Sequence, residues 1–321
     1  MILKRGIASP LQNERGFALL LVLLVITLLV TMVVEFDYRT RIDLRSAGNL
    51  RDGLQATYLA RAGIASAQAI LKDDKRQNPS KTDLTALWAV PLPPLPLGEG
   101  TASVKVTDEA SKFNLNNLVS KANFQKVPVS VEQAEELFRL AEVDPNLIDA
   151  IVDWVDGDNI PEPAGAEESY YQSLPKPYHC KNKPMDSLSE LHLIKGITDE
   201  IYQKVSPYLT VSTDSTNGQI NINTAAPIVL QALGFDEAQT RKLIDNRPIQ
   251  EVTTDLIRLI GQDAYNNVVL RNQGLLQGLL TVKSDIFSAK AIGRVHDTEK
   301  TVQALLDRSG SIVRIKTWRV E

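Results

Sequence analysis

From Phe17 to Val34 the chain runs 18 residues without a charge. At about 1.5 Å rise per residue this nearly spans the ~30 Å hydrocarbon core of a bilayer, so the run reads as a membrane helix. A secretory signal has a shorter apolar stretch followed by a small-x-small cleavage site, whereas here "TMVVEFDYR" passes directly into polar helical sequence. Lys4, Arg5 and Arg15 precede the run. The preference for positive charge in the cytoplasm gives a single pass with a cytoplasmic N-terminus and everything after Glu35 on the other side.

The helical pattern continues past the membrane surface. No proline occurs between Glu35 and Lys75, and small or apolar residues recur at Ile42, Ala47, Leu50, Leu54, Tyr58, Ala62, Ala65, Ala69 and Ile70. That spacing predicts one packed face on a helix of about 50 residues ending near "KDDKRQNP". Gly48, Gly53 and Gly63 each cost roughly 1 kcal/mol against alanine in a helix interior, so lateral packing has to hold it.

With 321 residues the chain has room for about two domains and a sizeable core. Its single cysteine, Cys180, excludes an internal disulfide. The net charge is −4, and residues 1–16 carry a net +2, so the remainder is more acidic still. An acidic chain is a poor prior for nucleic acid. No Gly-x-Ser-x-Gly, His-Glu-x-x-His or phosphate-cradling glycine loop is present.

After the proline-rich connector "VPLPPLPLGEG", Ala102, Val104 and Val106 alternate with Ser103 and Lys105, which predicts a strand. The stretch "DEASK" reads as a turn into a second short strand, giving a hairpin between Gly98 and Leu118. Strand patterning returns in "LLTVKSDIFSAKAIGRV" and in "SIVRIKTWRVE", where Ile312, Val313, Ile315, Trp318 and Val320 can complete a sheet. The sequence between is mostly helical.

Within it, Leu147, Ile148, Ile151, Val152 and Val155 predict a helix that breaks at "DGDNIPEPAGAEE". A turn at Gly157 brings Asp156 and Asp158 to one point, with Glu167 and Glu168 across the loop. Hard oxygens on a flexible loop suit Ca²⁺, which takes 6–8 of them at about 2.3–2.6 Å. The spacing is not that of an EF-hand. Spacing alone favours a solvated, helix-capping loop, and Asp153, four residues from Asp149, either contributes or caps.

A basic leader ending in glycine, then phenylalanine opening an apolar helix that runs far into the next compartment, resembles the class III signal of type IV pilins and pseudopilins. The resemblance implies that a prepilin peptidase cuts between Gly16 and Phe17 and methylates the new amino group of Phe17. One position departs from the usual pattern: the fifth mature residue is Leu21, where the family has glutamate. A carboxylate in hydrocarbon costs several kcal/mol unless paired, so a subunit with no neighbour to pair with is better without it. That absence is characteristic of the K-type minor pseudopilins of bacterial type II secretion systems, which the chain resembles over nearly its whole length.

The resemblance implies an α+β, pilin-like fold, with a long N-terminal membrane helix on a small antiparallel sheet and a large inserted α-helical domain. The corresponding spans are a cleaved leader (1–16), a transmembrane part (17–36) and a periplasmic part (37–77) of the helix. First sheet strands (98–121), the insertion (122–278) and closing strands (279–321) follow. It implies a non-catalytic subunit at the pseudopilus tip, anchored in the inner membrane with its head in the periplasm. Partners would be the I-type and J-type minor pseudopilins, the major pseudopilin, the prepilin peptidase and the inner-membrane assembly platform. The acidic loop is similar to the one where K-type pseudopilins bind Ca²⁺, which selects Asp156, Asp158 and Glu168, then Glu167 and the carbonyl of Ile160.

Two other features invite functional readings. Residues 189–205 and 221–247 look like helix-hairpin-helix units, which can grip DNA phosphates in a pilus or DNA-uptake machine. Each turn has one glycine and is surrounded by Glu190, Asp199, Glu200, Asp236 and Glu237, which repel a polyanion. The adjacent His179 and Cys180 lack the second ligand pair of a zinc site, and the acidic loop has no nucleophile or base to make a metal-dependent hydrolase.

Overall fold

The computed structural model describes residues 14–91, 93–120, 122–212, 218–270 and 278–321. Most of the expected leader, with Lys4 and Arg5, lies outside the described residues. The first element, α1, is an unbroken helix of 64 residues, Glu14–Gln77, about 96 Å long at helical rise. Its run from Phe17 to Val34 is exposed throughout.

The buried face of α1 differs from the stripe expected above. Ala56, Ala60, Ile64, Ala67 and Leu71 are buried, whereas Ile42, Leu50, Leu54, Tyr58, Ala62, Ala65 and Ala69 are exposed. Both sets have helical spacing, and the smaller residues were selected because the helix backbone lies almost on the sheet. Short strands follow: β1 Leu95–Leu97, β2 Gly100–Asp108, β3 Phe113–Asn114, β4 Leu209–Thr210, β5 Ile220–Asn221 and β6 Leu280–Thr281. The chain closes with β7 Ile286–Val295, β8 Thr298–Asp307 and β9 Arg314–Val320. The main sheet is antiparallel in the order β1-β2-β7-β8-β9, and α1 lies mainly across β2, β7 and β8.

Two glycines allow the close approach. A Cβ on Gly293 of β7 would stand 1.9 Å from the carbonyl oxygen of Ala56, and one on Gly63 would stand 2.9 Å from Cβ of Ala291. Around them Ile64, Leu71, Phe287, Val302 and Leu306 form the core, with Trp88 edge-on to Phe287 at 5.1 Å.

The expected hairpin at "DEASK" does not form. Asp108 Oδ1 accepts from the Ala110 amide at 2.9 Å and starts a short 3-10 turn, Glu109–Ser111, that carries the chain out of the sheet. β3 then pairs in parallel with β4, and β2 takes β1 and the distant β7 as its neighbours. The sheet contribution of 98–121 therefore ends at Asp108: Phe113, Leu115 and Leu118 are buried in the core of the insertion. At the other boundary β6 pairs with β5 of the insertion, so the closing strands begin at Ile286 rather than at 279.

The insertion carries α2 Pro128–Leu140, α3 Leu147–Val155, α4 Glu168–Gln172, α5 Asp199–Val205, α6 Pro227–Ala232, α7 Glu237–Asp245, α8 Val252–Ile260 and α9 Gln262–Val268. Its core is one continuous cluster running from Phe113 to Leu280. Chain leaves and re-enters the sheet beside Asp108, Ile286 and Asp307, which adjoin the C-terminal end of α1. There a buried polar seam joins the two units. Arg308 donates to Asp74 Oδ2 at 2.5 Å, Thr82 Oγ1 at 2.6 Å and the Ser284 carbonyl at 3.0 Å. Asp108 Oδ2 accepts from Ser284 Oγ and Thr224 Oγ1, both at 2.6 Å, and from Asn221 at 3.3 Å. The insertion thus stands at the end of α1 farthest from the apolar run.

The packing makes opposite predictions for two glycines. Gly293→Ala forces helix and sheet apart and should destabilise the head by about 1–3 kcal/mol. Gly48, with nothing within 4 Å of its Cβ position, should gain about 0.5–1 kcal/mol from the same change. Denaturant melts of the two variants check this; equal effects would refute the close-packing account.

Candidate metal centre

α3 is anchored by Ile148, Ile151, Val152 and Val155, all buried, which places Asp149 and Asp153 on the side facing the following loop. Asp149 Oδ2 accepts from the Ala164 amide and Asp153 Oδ1 from the Glu162 amide, each at 3.0 Å. The loop presses so closely on Asp153 that a Cβ at Gly165 would lie 1.9 Å from its Oδ2. Asp156 ends α3 as its C-cap, and Glu167 opens α4 as its N-cap.

These caps meet. One carboxylate oxygen from each of Asp153, Asp156 and Glu167 lies within 4.8 Å of the other two, and all three residues are buried. Asp156 Oδ1 and both Glu167 oxygens are shielded from solvent without a hydrogen-bond partner. Burial, reinforced by Asp158 and Asp153, pushes the Asp156 carboxyl up to about 6. Burial and then Asp153, Asp156 and Asp158 push Glu167 up to about 7. Asp153 is raised too, mainly by burial. Desolvated like charges are costly unless neutralised, and hard carboxylate oxygens at this separation fit a Ca²⁺-type cation. Asn182 Oδ1 is a further buried oxygen without a partner, while its Nδ2 donates to the Asp158 carbonyl at 2.6 Å.

Of the residues expected in the site, Asp156 and Glu167 are brought together. Asp158 lies exposed, its Oδ1 accepting from the Ile160 amide at 2.8 Å, and Ile160 is 75% exposed. Glu168 turns the other way: its oxygens meet His179 Nδ1 at 2.7 Å and the Cys180 amide at 2.8 Å. Asp153 takes the third place instead, and its three-residue spacing from Asp156 along α3 was the available signal. Cys180 is half-buried, and burial pushes its thiol up to about 12, so it is no thiolate nucleophile at neutral pH.

Residues 111–214 match the family model for type II secretion system (T2SS), protein K. The chain is 30% identical over 322 residues to the type II secretion system protein K of Pectobacterium carotovorum subsp. carotovorum, with 95% of each chain covered. The protein of that description from Aeromonas hydrophila is 29% identical over 327 residues, covering 92% of this chain and 94% of the relative. The Pseudomonas aeruginosa protein is 31% identical over 248 residues, covering 74% and 73%. Among solved structures, the GspK-GspI-GspJ complex from the enterotoxigenic Escherichia coli type 2 secretion system contains a chain of the same fold. It matches with a TM-score of 0.70 at 23% identity, covering 88% of this chain and 99% of that one.

The raised carboxyls give a pH signature. Both hold protons to higher pH in the folded than in the unfolded chain, so without a cation they stabilise the fold at low pH. That contribution is lost as pH rises through about 6 and about 7. In chelator, the melting temperature should fall from about pH 4 to about pH 7, and Asp156→Asn with Glu167→Gln should flatten the slope. Saturating Ca²⁺ should raise the wild-type melting temperature at pH 8; a hundredfold excess over Kd is worth about 2.7 kcal/mol. Identical curves with and without chelator would reduce the cluster to a set of caps.

Proposed function

Since the chain belongs to the type II secretion system protein K family, we propose that it works as a non-catalytic structural subunit at the tip of the pseudopilus. The family is one of minor pseudopilins. The observation that carries the tip position is where the insertion stands: beyond the C-terminal end of α1, about 60 Å of helix from Val34. A large helical body there leaves no room for a subunit stacked above.

Leu21 agrees with that place. A glutamate would gain a partner only from a neighbour docked above it, and a first subunit would carry the charge unpaired in hydrocarbon. Exposure of Phe17–Val34 along α1 supports an anchor in the inner membrane, with the head in the periplasm and the leader in the cytoplasm for a prepilin peptidase to remove. The likeness to the chain in the GspK-GspI-GspJ complex supports I-type and J-type minor pseudopilins as its partners. The major pseudopilin would continue the fibre below, fed by the assembly platform.

Asp153, Asp156 and Glu167 would hold Ca²⁺. The ion would supply the positive charge that three buried carboxylates lack, and α3, α4 and the loop between them would be braced as one piece. The DNA-binding reading gains no support, because the turn at Gly234 is followed at once by Asp236 and Glu237.

Two measurements test the assignment. Intact-mass analysis of the membrane protein should show a chain beginning at methylated Phe17, and Gly16→Val should leave the leader attached; a start elsewhere removes the processing step. Gold-labelled heads on isolated pseudopili should appear at one end only. Label scattered along the shaft would remove the tip assignment.

A further inference from the structure

β9 closes the sheet, and among the described residues nothing pairs with its outer edge. Thr301 and Glu321 exchange both backbone hydrogen bonds, at 3.1 and 2.9 Å. By antiparallel alternation, Val302/Val320 and Ala304/Trp318 are then the non-bonded pairs of the ladder. The N–H and C=O groups of Trp318 and Val320 therefore point away from β8, toward the free edge. Their side chains share a face with Val302 and Ala304, which are buried under α1. Since α1 lies mainly over β2, β7 and β8, Ile315, Trp318 and Val320 are left 42%, 38% and 43% exposed on a ledge beside it. Arg61 of α1 forms the wall of that ledge, 5.8 Å from the Tyr58 ring and 5.7 Å from the Trp318 ring.

The opposite face of β9 carries Arg314 and Arg319 against one carboxylate of its own, Glu321, which meets Arg319 Nε at 3.1 Å. Arg314 and Arg319 stand opposite Asp307 and Gln303 in the register, on the side away from α1. Exposed edges are commonly blunted by charge, and these two cations repel a second copy of the strand. They attract an acidic one.

We propose that β9 is a docking edge for an extended strand of a partner head, apolar on the side toward α1 and carrying Asp or Glu on the other. Pairing with Trp318 and Val320 would extend the sheet by one strand. The partner's apolar side chains would cover the ledge, and its carboxylates would meet Arg314 and Arg319. The proposal rests on the reading of this chain as a pseudopilin that assembles with I-type and J-type partners, and it names the surface they use.

The test uses the full chain in detergent with the I-type and J-type minor pseudopilins of the same organism. A photo-crosslinking residue replaces Thr317, and a second variant combines Arg314→Glu with Arg319→Glu. The expected crosslink maps to an acidic strand of a partner, and the charge reversal weakens the complex about tenfold at low salt while the melting temperature stays unchanged. A complex that forms with wild-type affinity after the reversal, or a crosslink that maps to a partner helix, overturns the strand pairing alone. Failure of the wild-type chain to bind either partner overturns the partner reading, and this proposal with it.

Discussion

The contact on which the rest depends is the approach of α1 to β7. Gly293 lies beneath the Ala56 carbonyl and Gly63 lies against Ala291, so the helix and strand backbones meet with almost no side chain between them. Small residues bury little area each, and the apolar burial comes from Ile64, Leu71, Phe287 and Leu306 around them. This seat decides which face of α1 is free. It turns Leu50, Leu54 and Tyr58 outward and leaves β9 beyond the shelter of the helix.

Where the helix ends, a polar seam takes over. Arg308 and Asp74 form a buried ion pair, and Thr82, Ser284, Asp108, Asn221 and Thr224 continue it from α1 through the sheet into the insertion. A buried pair adds little net stability, but breaking it leaves one charge stranded at a cost of about 3–5 kcal/mol. The four donors on Asp108 offset part of its burial, which still raises its carboxyl. Tilting the insertion away from α1 would break several of these bonds together, so the head acts as one body.

The acidic loop follows a different logic. Asp153 and Asp156 come from one helix and Glu167 from the start of the next, and bringing three carboxylates together strips water from each of them. The loop's remaining acids have other work: Asp158 holds the Ile160 amide, and Glu168 ties the loop to His179 and Cys180.

Local pattern made much of this legible. The absence of proline to Lys75, the alternation in β2 and the break at "DGDNIPEPAGAEE" are properties of neighbouring residues, and they were read correctly as long helix, strand and loop; the proline-rich connector was not, because Leu95–Leu97 within it pairs with β2 as β1. The acidic loop was recognisable from its composition. Pairing was not: whether β2 folds back on "DEASK" or joins β7 depends on residues nearly 200 positions away. Nor was the buried stripe of α1, because two stripes have helical spacing and only the close approach at Gly293 selects the one through Ala56, Ala60 and Ile64. That Asp153, rather than Asp158 or Glu168, would stand beside Asp156 and Glu167 was illegible for the same reason. Sequence determined which residues were acidic and near one another along the chain; only packing of α3 against the loop decided which carboxylates lost their water.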